Sequence, residues 1–426
     1  MLVQDFLTKY GILAKCVDEE KLTRSFLSDM KRGLDGKKSS IEMIPTFQSE
    51  DIQIESGKSV IVIDAGGTNF RTCLVTFDDD GKPVISDFRK SRMPGLDREV
   101  SAKEFFSIIA DNIERLVTKS DRIAFCFSYS AKITKEHDGI VLDFSKEIKA
   151  SEVIGMKLGE NLLSELSNRG YDVSKKKIVI LNDTVSTLLA AVGSVKNADG
   201  YIGFILGTGT NTAYGEKNSN ISEVGGEGRQ IINTESGAYE IKLTKLDREF
   251  IASTKKPEIH HFEKLISGAY LGPYAHLAIR KAIKEGLFSA SFAKDFEKIE
   301  TISTISMSAF LDNPLDSDNV LSSLVRNRKK DEKTLYIILR SIIERAAKLT
   351  AVNISAAVLK SGRGTDPSHP VVINADGTTF YKTKYLKALT EMYLYEYLEV
   401  KKERYYVIVN IEDSPVIGSA IAGLSI

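Results

Sequence analysis

The 426-residue sequence has few cysteines, no long hydrophobic run and no excess of charge of either sign. Its three cysteines, Cys16, Cys73 and Cys126, are widely spaced and odd in number, which argues against a disulfide framework or a zinc cluster and is typical of a reducing compartment. No apolar stretch approaches the roughly 20 residues that span a bilayer, and the first residues carry no basic segment of a signal peptide. We therefore expect a soluble, cytoplasmic protein that does not insert into membranes.

The charges are balanced, with 58 basic and 58 acidic residues. This balance argues against nucleic acid or an anionic membrane as the main partner. The basic run at residues 326–330 is followed at once by Asp331 and Glu332, so it is interpreted as a solvated face. Side chains of the adjacent His260 and His261 diverge on any regular element, and we do not expect them to share a metal ion.

Two stretches share one design, an apolar run that breaks into a turn of Gly, Thr and Asn and is followed by a second apolar run. They occupy residues 60–71 and begin again at residue 204. Each predicts a β-hairpin. Glycines in such a turn let backbone N–H groups converge on an anion, and Thr and Asn add hydroxyl and amide contacts. The pair suggests a nucleotide held between two related halves, although either hairpin alone could be an ordinary tight turn.

The phosphate-binding loop of Walker type is excluded by its spacing. Gly57-Lys58-Ser59 supplies the end of that motif, but Ile52 stands where its first glycine is required. Asp64 favours phosphate binding by the first hairpin, because a carboxylate at the end of an apolar strand is costly to bury unless a cation or hydrogen bonds satisfy it. Mg²⁺ on a nucleotide phosphate is the natural candidate.

Strands and helices alternate along the chain, which predicts an α/β architecture with a mainly parallel or mixed sheet. Two domains of similar plan are expected, connected near residues 184–192. The predicted helices are residues 18–32, 102–118, 158–167, 185–192, 262–285, 333–359 and 383–398, and the predicted strands outside the hairpins are residues 122–127, 178–181, 371–374 and 405–410.

Polar residues follow several predicted strands. Asn182-Asp183-Thr184 follows the strand at 178–181, and helix capping by Asp or Thr is one explanation for this triplet. Ligands of α/β sheets, however, gather at the carboxyl ends of strands. Ser128 follows another strand, and Glu235 and Glu263 add two carboxylates. Together these groups suit an uncharged, polyhydroxylated substrate, because each hydroxyl both donates and accepts hydrogen bonds.

These segments resemble the hexokinase family, which includes the eukaryotic glucokinases and belongs to the actin-like ATPase superfamily. Residues 64–71 resemble its first phosphate motif and residues 207–211 its second. Residues 125–130 are similar to the sugar-binding segment, and Phe144-Ser145-Lys146 stands where the family has Trp-Thr-Lys. Residues 181–184 match the segment with the catalytic aspartate, and Glu235 and residues 262–268 match the two glutamate segments.

The resemblance implies a fold of two actin-like (ribonuclease H-like) α/β domains flanking a cleft, with an N-terminal helix. The expected boundaries are an N-terminal helical segment at 1–54 that packs on the large domain, a small domain at 55–186, a large domain at 187–416, and a C-terminal helix at 417–426 that returns to the small domain.

The resemblance also implies roles for individual residues. Asp183 would be the general base for the sugar 6-hydroxyl, with Lys146 and Arg71 assisting phosphoryl transfer. The sugar would be held by Ser128, Ser145, Lys146, Asn182, Asp183, Asn211, Glu235 and Glu263. The nucleotide would be held by Asp64, Gly66, Gly67, Thr68, Asn69, Arg71, Gly207, Thr208, Gly209, Gly377 and Ser414, and Mg²⁺ by Asp64 and Asp183 through water.

The implied activity is ATP-dependent phosphorylation of a hexose, glucose first, with Mg²⁺ as cofactor, in a monomer or homodimer. The departures from the family are Phe144, Ser145 in place of threonine, Ser130 in place of proline, and Ser414-Pro415-Val416 where the family has a Gly-Ser-Gly nucleotide loop. Two alternatives remain: a catalytically silent sugar sensor on the same scaffold, and an ATP-driven interaction protein of the actin or chaperone kind. Asp183 and Lys146 argue against the first alternative, and Glu235, Glu263 and Asn211 against the second.

Overall fold

The structure is a computed structural model that describes residues 2–67, 69–144 and 148–426. The strands of this part of the chain are β1 (Ile44–Pro45), β2 (Ser59–Gly66), β3 (Asn69–Phe77), β4 (Pro83–Arg92), β5 (Arg122–Phe127), β6 (Ser130–Ile133), β7 (Gly139–Asp143), β8 (Lys177–Leu181), β9 (Gly200–Leu206), β10 (Thr210–Lys217), β11 (Arg229–Asn233), β12 (Val371–Asp376) and β13 (Tyr406–Val409).

The helices of the same residues are α1 (Val3–Lys9), α2 (Glu19–Leu34), α3 (Ala102–Ile113), α4 (Leu158–Asn168), α5 (Asp183–Ser194), α6 (Lys245–Ala252), α7 (Glu263–Ile266), α8 (Leu271–Lys284), α9 (Ala290–Phe296), α10 (Thr304–Asp312), α11 (Val320–Val325), α12 (Lys329–Ser361), α13 (Thr378–Lys382), α14 (Leu386–Leu394) and α15 (Ser414–Leu424). A π-helical segment, Tyr395–Lys401, follows α14.

Two mixed sheets repeat one topology. In the described residues the first sheet has the order β4-β3-β2-β5-β8 and the second has β1-β11-β10-β9-β12-β13. In each, a hairpin (β2–β3 or β9–β10) is extended on one side by an antiparallel strand (β4 or β11) and on the other by two parallel strands, and the short β1 adds a further antiparallel strand to the second sheet. Both predicted hairpins and the expectation of two halves with a similar plan are confirmed.

Helices α5 and α15 pack between the two sheets. Their apolar side chains, such as Leu188 and Ile421, share one core with Val62 of the first sheet and Ile231 of the second. The helices approach closely, since a Cβ on Gly418 of α15 would overlap the backbone of Ser186 in α5. The other faces of the sheets have their own cores: α3 and α4 cover the first sheet, and the long helix α12 covers the second together with α1, α2 and α8.

One predicted helix is wrong in extent. The apolar periodicity of residues 262–285 predicts a continuous helix, but the structure has α7 and α8 with a break between them. At the break, the backbone N–H groups of Gly268 and Ala269 donate to the carbonyl oxygens of Gly207 (2.9 Å) and Thr208 (3.3 Å) instead of to helical partners. A Cβ on Gly268 would collide with Thr379, so the contact requires glycine.

Smaller differences concern helix ends. The helix predicted at 102–118 ends at Ile113 and continues as a 3₁₀ turn, and the helix predicted at 383–398 begins at Leu386, because Tyr385 before it is left-handed (φ 71°). The C-terminal helix begins at Ser414, three residues before the predicted start. No helix of residues 2–67, 69–144 and 148–426 is long and apolar enough to cross a membrane. The four domain boundaries stay predictions.

Candidate active site

A cavity opens between the two sheets, and residues from both of them line it. Asn182, after β8, and Phe127, at the end of β5, come from the first half. Asn233, at the end of β11, and Glu235 come from the second half, together with Thr46 beside β1. The carboxyl ends of the parallel strands β5 and β8 and the end of the antiparallel strand β11 therefore lead to one cavity. Two of the predicted sugar-binding residues, Asn182 and Glu235, lie in it.

Two amides and a carboxylate form a hydrogen-bonded cluster on the second half. Asn211 Nδ2 donates to Asn233 Oδ1 (2.8 Å) and to Glu235 Oε1 (3.2 Å). Asn233 Nδ2 donates to the same Glu235 oxygen at 2.8 Å. Glu235 has left-handed backbone geometry (φ 53°, ψ 46°), which is uncommon for a residue other than glycine. The chain is thus bent so that this carboxylate faces the two amides.

Burial raises the pKa of Glu235 to about 7, although the hydrogen bond from Asn233 acts in the opposite direction. The negative charges of Glu42, Asp183 and Glu263 add to the rise. Three acidic groups therefore surround Glu235 closely enough to affect its proton. A perturbed carboxyl group in a cleft is typical of a ligand-binding or catalytic site.

Glu263 is held against the second hairpin. Its Oε2 accepts a hydrogen bond from the backbone N–H of Thr210 (3.0 Å). A Cβ on Gly209 would overlap the Glu263 carboxylate, so only glycine at that position allows the approach. The second turn thus places Glu263 beside Asn211, the next residue after Thr210 in β10.

Asp183 is the first residue of α5, and Asn182 caps this helix. Asn182 Oδ1 accepts from the backbone N–H of Thr184 at 2.9 Å, so neither Asp183 nor Thr184 is needed as the cap. One Asp183 carboxylate oxygen accepts from Thr184 Oγ1 at 3.3 Å. The capping explanation therefore accounts for Asn182 and leaves the Asp183 carboxylate for another role.

The first hairpin carries an ion pair. Asp64 and Arg71 lie opposite each other in the β2–β3 register, and Arg71 Nε and Nη2 both lie 2.6 Å from Asp64 Oδ2. Burial raises the pKa of Asp64, Arg71 opposes the rise, and the charge of Asp183 adds to it. Arg71 thus supplies the cation that a buried Asp64 requires. Its Nη1 also lies 3.6 Å from Asp413 Oδ1.

The turn of the second hairpin packs against Gly377. Gly377 has φ 114°, and a Cβ there would collide with the carbonyl of Leu206. Thr379 Oγ1 and the N–H of Gly268 both donate to the Gly207 carbonyl, at 2.8 and 2.9 Å. Gly207, Thr208, Gly209 and Gly377, all predicted to hold the nucleotide, are therefore adjacent, and Thr208 is exposed.

Most of the remaining predicted residues that the structure describes lie at the first hairpin, and Ser414 lies in the interior. The N–H of Ser128 donates to Ala65 O in β2 (3.1 Å), and Ser128 lies beside Gly66. Gly67 accepts a hydrogen bond from Tyr129 Oη (2.7 Å), and Asn69 pairs with Gly66 at the start of β3. Ser414 is fully buried, donates to Ile411 O (2.6 Å) and accepts from Asn374 Nδ2 (2.9 Å). Three further predicted residues lie outside the described part of the chain: Thr68, Ser145 and Lys146.

Comparison with known sequences decides the family. A family model described as hexokinase matches residues 201–425, more than half of the chain, and a second model of the same description matches residues 12–192. The chain belongs to the hexokinase family.

Individual hexokinases match over most of this chain. Glucokinase-1 of Kluyveromyces lactis is 29% identical over 410 residues, which cover 84% of each protein. Human Hexokinase-3 is 29% identical over 384 residues, which cover 82% of this chain but 39% of the human protein. The chain thus spans well under half of the length of that relative.

Solved hexokinases share the fold. A hexokinase from Schistosoma mansoni complexed with glucose has a TM-score of 0.80, with 22% sequence identity and complete coverage of both chains. A second hexokinase crystal structure also has a TM-score of 0.80, with 20% identity and 99% coverage of both. The prediction of two actin-like domains is confirmed at the level of the fold.

Three polar residues near the candidate site were not among the predicted site residues: Asn233, Asp376 and Asp413. Burial raises the pKa of Asp376, the N–H of Gly377 opposes the rise, and the charges of Asp183 and Asp413 add to it. Asp376 ends the parallel strand β12, so the strand-end rule could have found it. Asn233 lies two residues before Glu235, whereas Asp413 is close to the first hairpin only through the tertiary fold.

Phe144, which stands where the family resemblance implies a tryptophan, packs in an aromatic cluster. The ring is buried, and its centroid lies 5.4 Å from that of Tyr129 and 6.0 Å from that of Phe127. Edge-to-face contacts of this kind stabilise an aromatic cluster. Phe144 thus packs in the core against Phe127 of β5, the strand that precedes Ser128.

Proposed function

We propose that this hexokinase transfers the γ-phosphoryl group of ATP to the 6-hydroxyl of a hexose, with glucose as the first candidate. The observation that carries the proposal is that Asn182, the residue before Asp183, lines one cavity with Asn233 and Glu235 of the hydrogen-bonded Asn211–Asn233–Glu235 cluster. A base and a set of hydroxyl-binding groups are what sugar phosphorylation requires. The glucose complex of the Schistosoma hexokinase and the name of the Kluyveromyces glucokinase support the choice of glucose.

The sugar is recognised by groups that match the two-way hydrogen bonding of hydroxyls. Carboxylates of Glu235 and Glu263 accept hydrogen bonds, and the amides of Asn182 and Asn211 donate and accept. Ser128 and Ser145 contribute hydroxyls. Because residues of both halves line the cavity, we expect a bound hexose to contact both of them.

Asp183 acts on the hydroxyl that reacts. Its carboxylate takes the proton of the 6-hydroxyl as the sugar oxygen bonds to the γ-phosphorus and the bond between that phosphorus and the β,γ-bridging oxygen breaks. The products are hexose 6-phosphate and ADP. Phosphoryl transfer depends mainly on positioning and on charge stabilisation, and Lys146 and Arg71 supply positive charge.

Mg²⁺ bound with the nucleotide would lie between Asp64 of the first hairpin and Asp183 of α5, whose negative charges affect each other. In the described residues no group of three or more His, Cys, Asp or Glu side chains forms a closed metal site. Mg²⁺ commonly keeps several waters and takes few carboxylates in addition to substrate phosphates, so it does not require such a group. Asp64 and Asp183 would hold it through water, and it would neutralise phosphate charge.

A sugar sensor on the same scaffold would bind hexose without turnover. A coupled assay for ADP over a panel of hexoses tests the proposal, with binding of each sugar measured by calorimetry in parallel. We expect ADP release that depends on the hexose and saturates near the measured dissociation constant. Binding of a hexose without ADP release would identify a sensor, and neither binding nor release would overturn the proposal.

A further inference from the structure

A ring of three buried polar side chains lies directly behind Glu235. Thr212 of β10, Ser236 and Asn353 of α12 have at most 1% of their surface exposed. Thr212 Oγ1 lies 3.2 Å from Ser236 Oγ and 3.2 Å from Asn353 Oδ1, and Asn353 Nδ2 lies 3.2 Å from Ser236 Oγ. Three elements distant in sequence therefore meet at one point.

The hydrogen bonds of the ring run in one direction. Asn353 Nδ2 donates to Ser236 Oγ, and Thr212 Oγ1 donates its only proton to Asn353 Oδ1. In the contact between the two hydroxyls, Ser236 Oγ is therefore the donor and Thr212 Oγ1 the acceptor. Each member thus donates once and accepts once. Loss of one hydroxyl leaves one buried donor and one buried acceptor of the other two members unpaired in the ring, although those two members still bond to each other.

Thr212 holds the residues on both sides of Glu235. Its carbonyl oxygen accepts from the N–H (3.0 Å) and the hydroxyl (2.7 Å) of Thr234, and its side chain contacts Ser236. Glu235 between them is left-handed, a geometry that persists only where the surroundings impose it. The backbone N–H of Ser236 also donates to Asn211 Oδ1 at 3.3 Å.

We propose that the Thr212–Ser236–Asn353 ring positions Glu235 for sugar binding, so that these three are positioning residues for hexose affinity. The ring fixes Ser236 against the middle of α12, and Ser236 fixes the bend that directs the Glu235 carboxylate towards Asn211 and Asn233. The inference rests on the proposed function, because that proposal assigns Glu235 to the sugar.

The test compares two isosteric substitutions of buried threonines. Thr212→Val removes the ring hydroxyl and keeps the backbone contacts with Thr234. Thr350→Val, the matched control, removes a hydroxyl of α12 that donates only to its own helix at Ala346 O (2.9 Å). Thr212→Ser restores the hydroxyl. Should Thr212→Val fail to fold, Ser236→Ala opens the ring with a smaller change.

We expect Thr212→Val to raise the KM for hexose about tenfold, since a small displacement of a binding group has a large effect on affinity. The KM for ATP should stay unchanged, and Thr350→Val and Thr212→Ser should keep the wild-type KM for both substrates. A purely structural role would lower the amount of active enzyme and leave both KM values alone. An unchanged hexose KM in folded Thr212→Val, or an equal rise in Thr350→Val, overturns the proposal.

Crystal structures of the same variants separate this inference from the proposed function, because they need no turnover. We expect Glu235 to leave its left-handed geometry in Thr212→Val and to keep it in Thr350→Val. An unmoved Glu235 in Thr212→Val would overturn the ring as a positioning device even if the wild type phosphorylates glucose. A displaced Glu235 would support it even if the wild type phosphorylates no hexose.

Discussion

Asp183 is the residue on which the proposed chemistry depends. Replacing it with Asn keeps the size and the hydrogen bond from Thr184 Oγ1 but removes the base. We expect Asp183→Asn to lower kcat by about 10²–10⁴-fold, the usual contribution of a positioned general base. Calorimetry should find hexose affinity close to that of the wild type. Near-normal turnover would contradict the assignment, and loss of sugar binding would show that Asp183 acts in recognition instead.

Glu235 gives sugar binding a dependence on pH. The ionised carboxylate accepts hydrogen bonds from hexose hydroxyls, and burial raises its pKa to about 7, so the binding form is lost as the pH falls through this value. With only the ionised form competent, the KM for hexose should be about tenfold higher at pH 6 than at pH 8. The control is Glu235→Gln, whose KM should be higher but flat over this range. The same pH slope in the variant would assign the titration to another group.

At the scale of single residues, some contacts of the site could have been predicted from the sequence and others could not. Mg²⁺ at Asp64 stays a prediction, whereas the ion pair of Asp64 with Arg71 is a contact that sequence reasoning did not foresee. The hairpin register would have indicated this, because residues opposite each other in two paired strands present their side chains on the same face. Asp413 could not be found in this way, because its proximity to Arg71 depends on how α15 packs between the sheets.

At the scale of elements, the ends of the predicted strands agree with the structure better than those of the predicted helices, although the sequence did not predict β1, β4, β6, β7 and β11. Both hairpins and the strand Arg122–Phe127 were found because glycine turns and short apolar runs carry a local signal. The break between α7 and α8 was missed because periodicity reports which face is buried and not which carbonyl a backbone N–H meets. At that break the backbone N–H of Gly268 donates to the carbonyl oxygen of Gly207, which is a tertiary interaction.

The start of α15 bears on the choice of phosphoryl donor. Pro415 has no backbone N–H. The backbone N–H groups of Val416 and Ile417 donate to Asp413 O (2.9 and 3.0 Å), and the Ser414 hydroxyl is buried. Few donors therefore remain here for a nucleoside, and we expect GTP, CTP or a simpler phosphate donor to be used appreciably beside ATP. Values of kcat/KM for the four nucleoside triphosphates test this. A preference for ATP above about 100-fold, roughly 2.7 kcal/mol, would contradict it.

At the scale of the whole molecule, the cavity between the halves suggests control by closure. Water fits any pocket that holds a hydroxyl, so wasteful hydrolysis of ATP is suppressed if the site assembles only when sugar binds. Helix α5 connects the sheets and carries Asp183 at its start, which places the base next to the connection. We expect glucose alone to close the halves about this helix and to reduce the radius of gyration in solution scattering. An unchanged profile at saturating glucose would refute closure.

The central claim is the transfer of a phosphoryl group to the 6-hydroxyl, and phosphorus NMR of the reaction with glucose and ATP tests it most directly. A phosphate on the primary carbon couples to two protons, so the account predicts a new triplet that grows with ADP in the wild type. The signal should be strongly reduced in Asp183→Asn at equal protein concentration. A doublet from phosphate at another carbon, or release of inorganic phosphate without a sugar phosphate, would contradict the account.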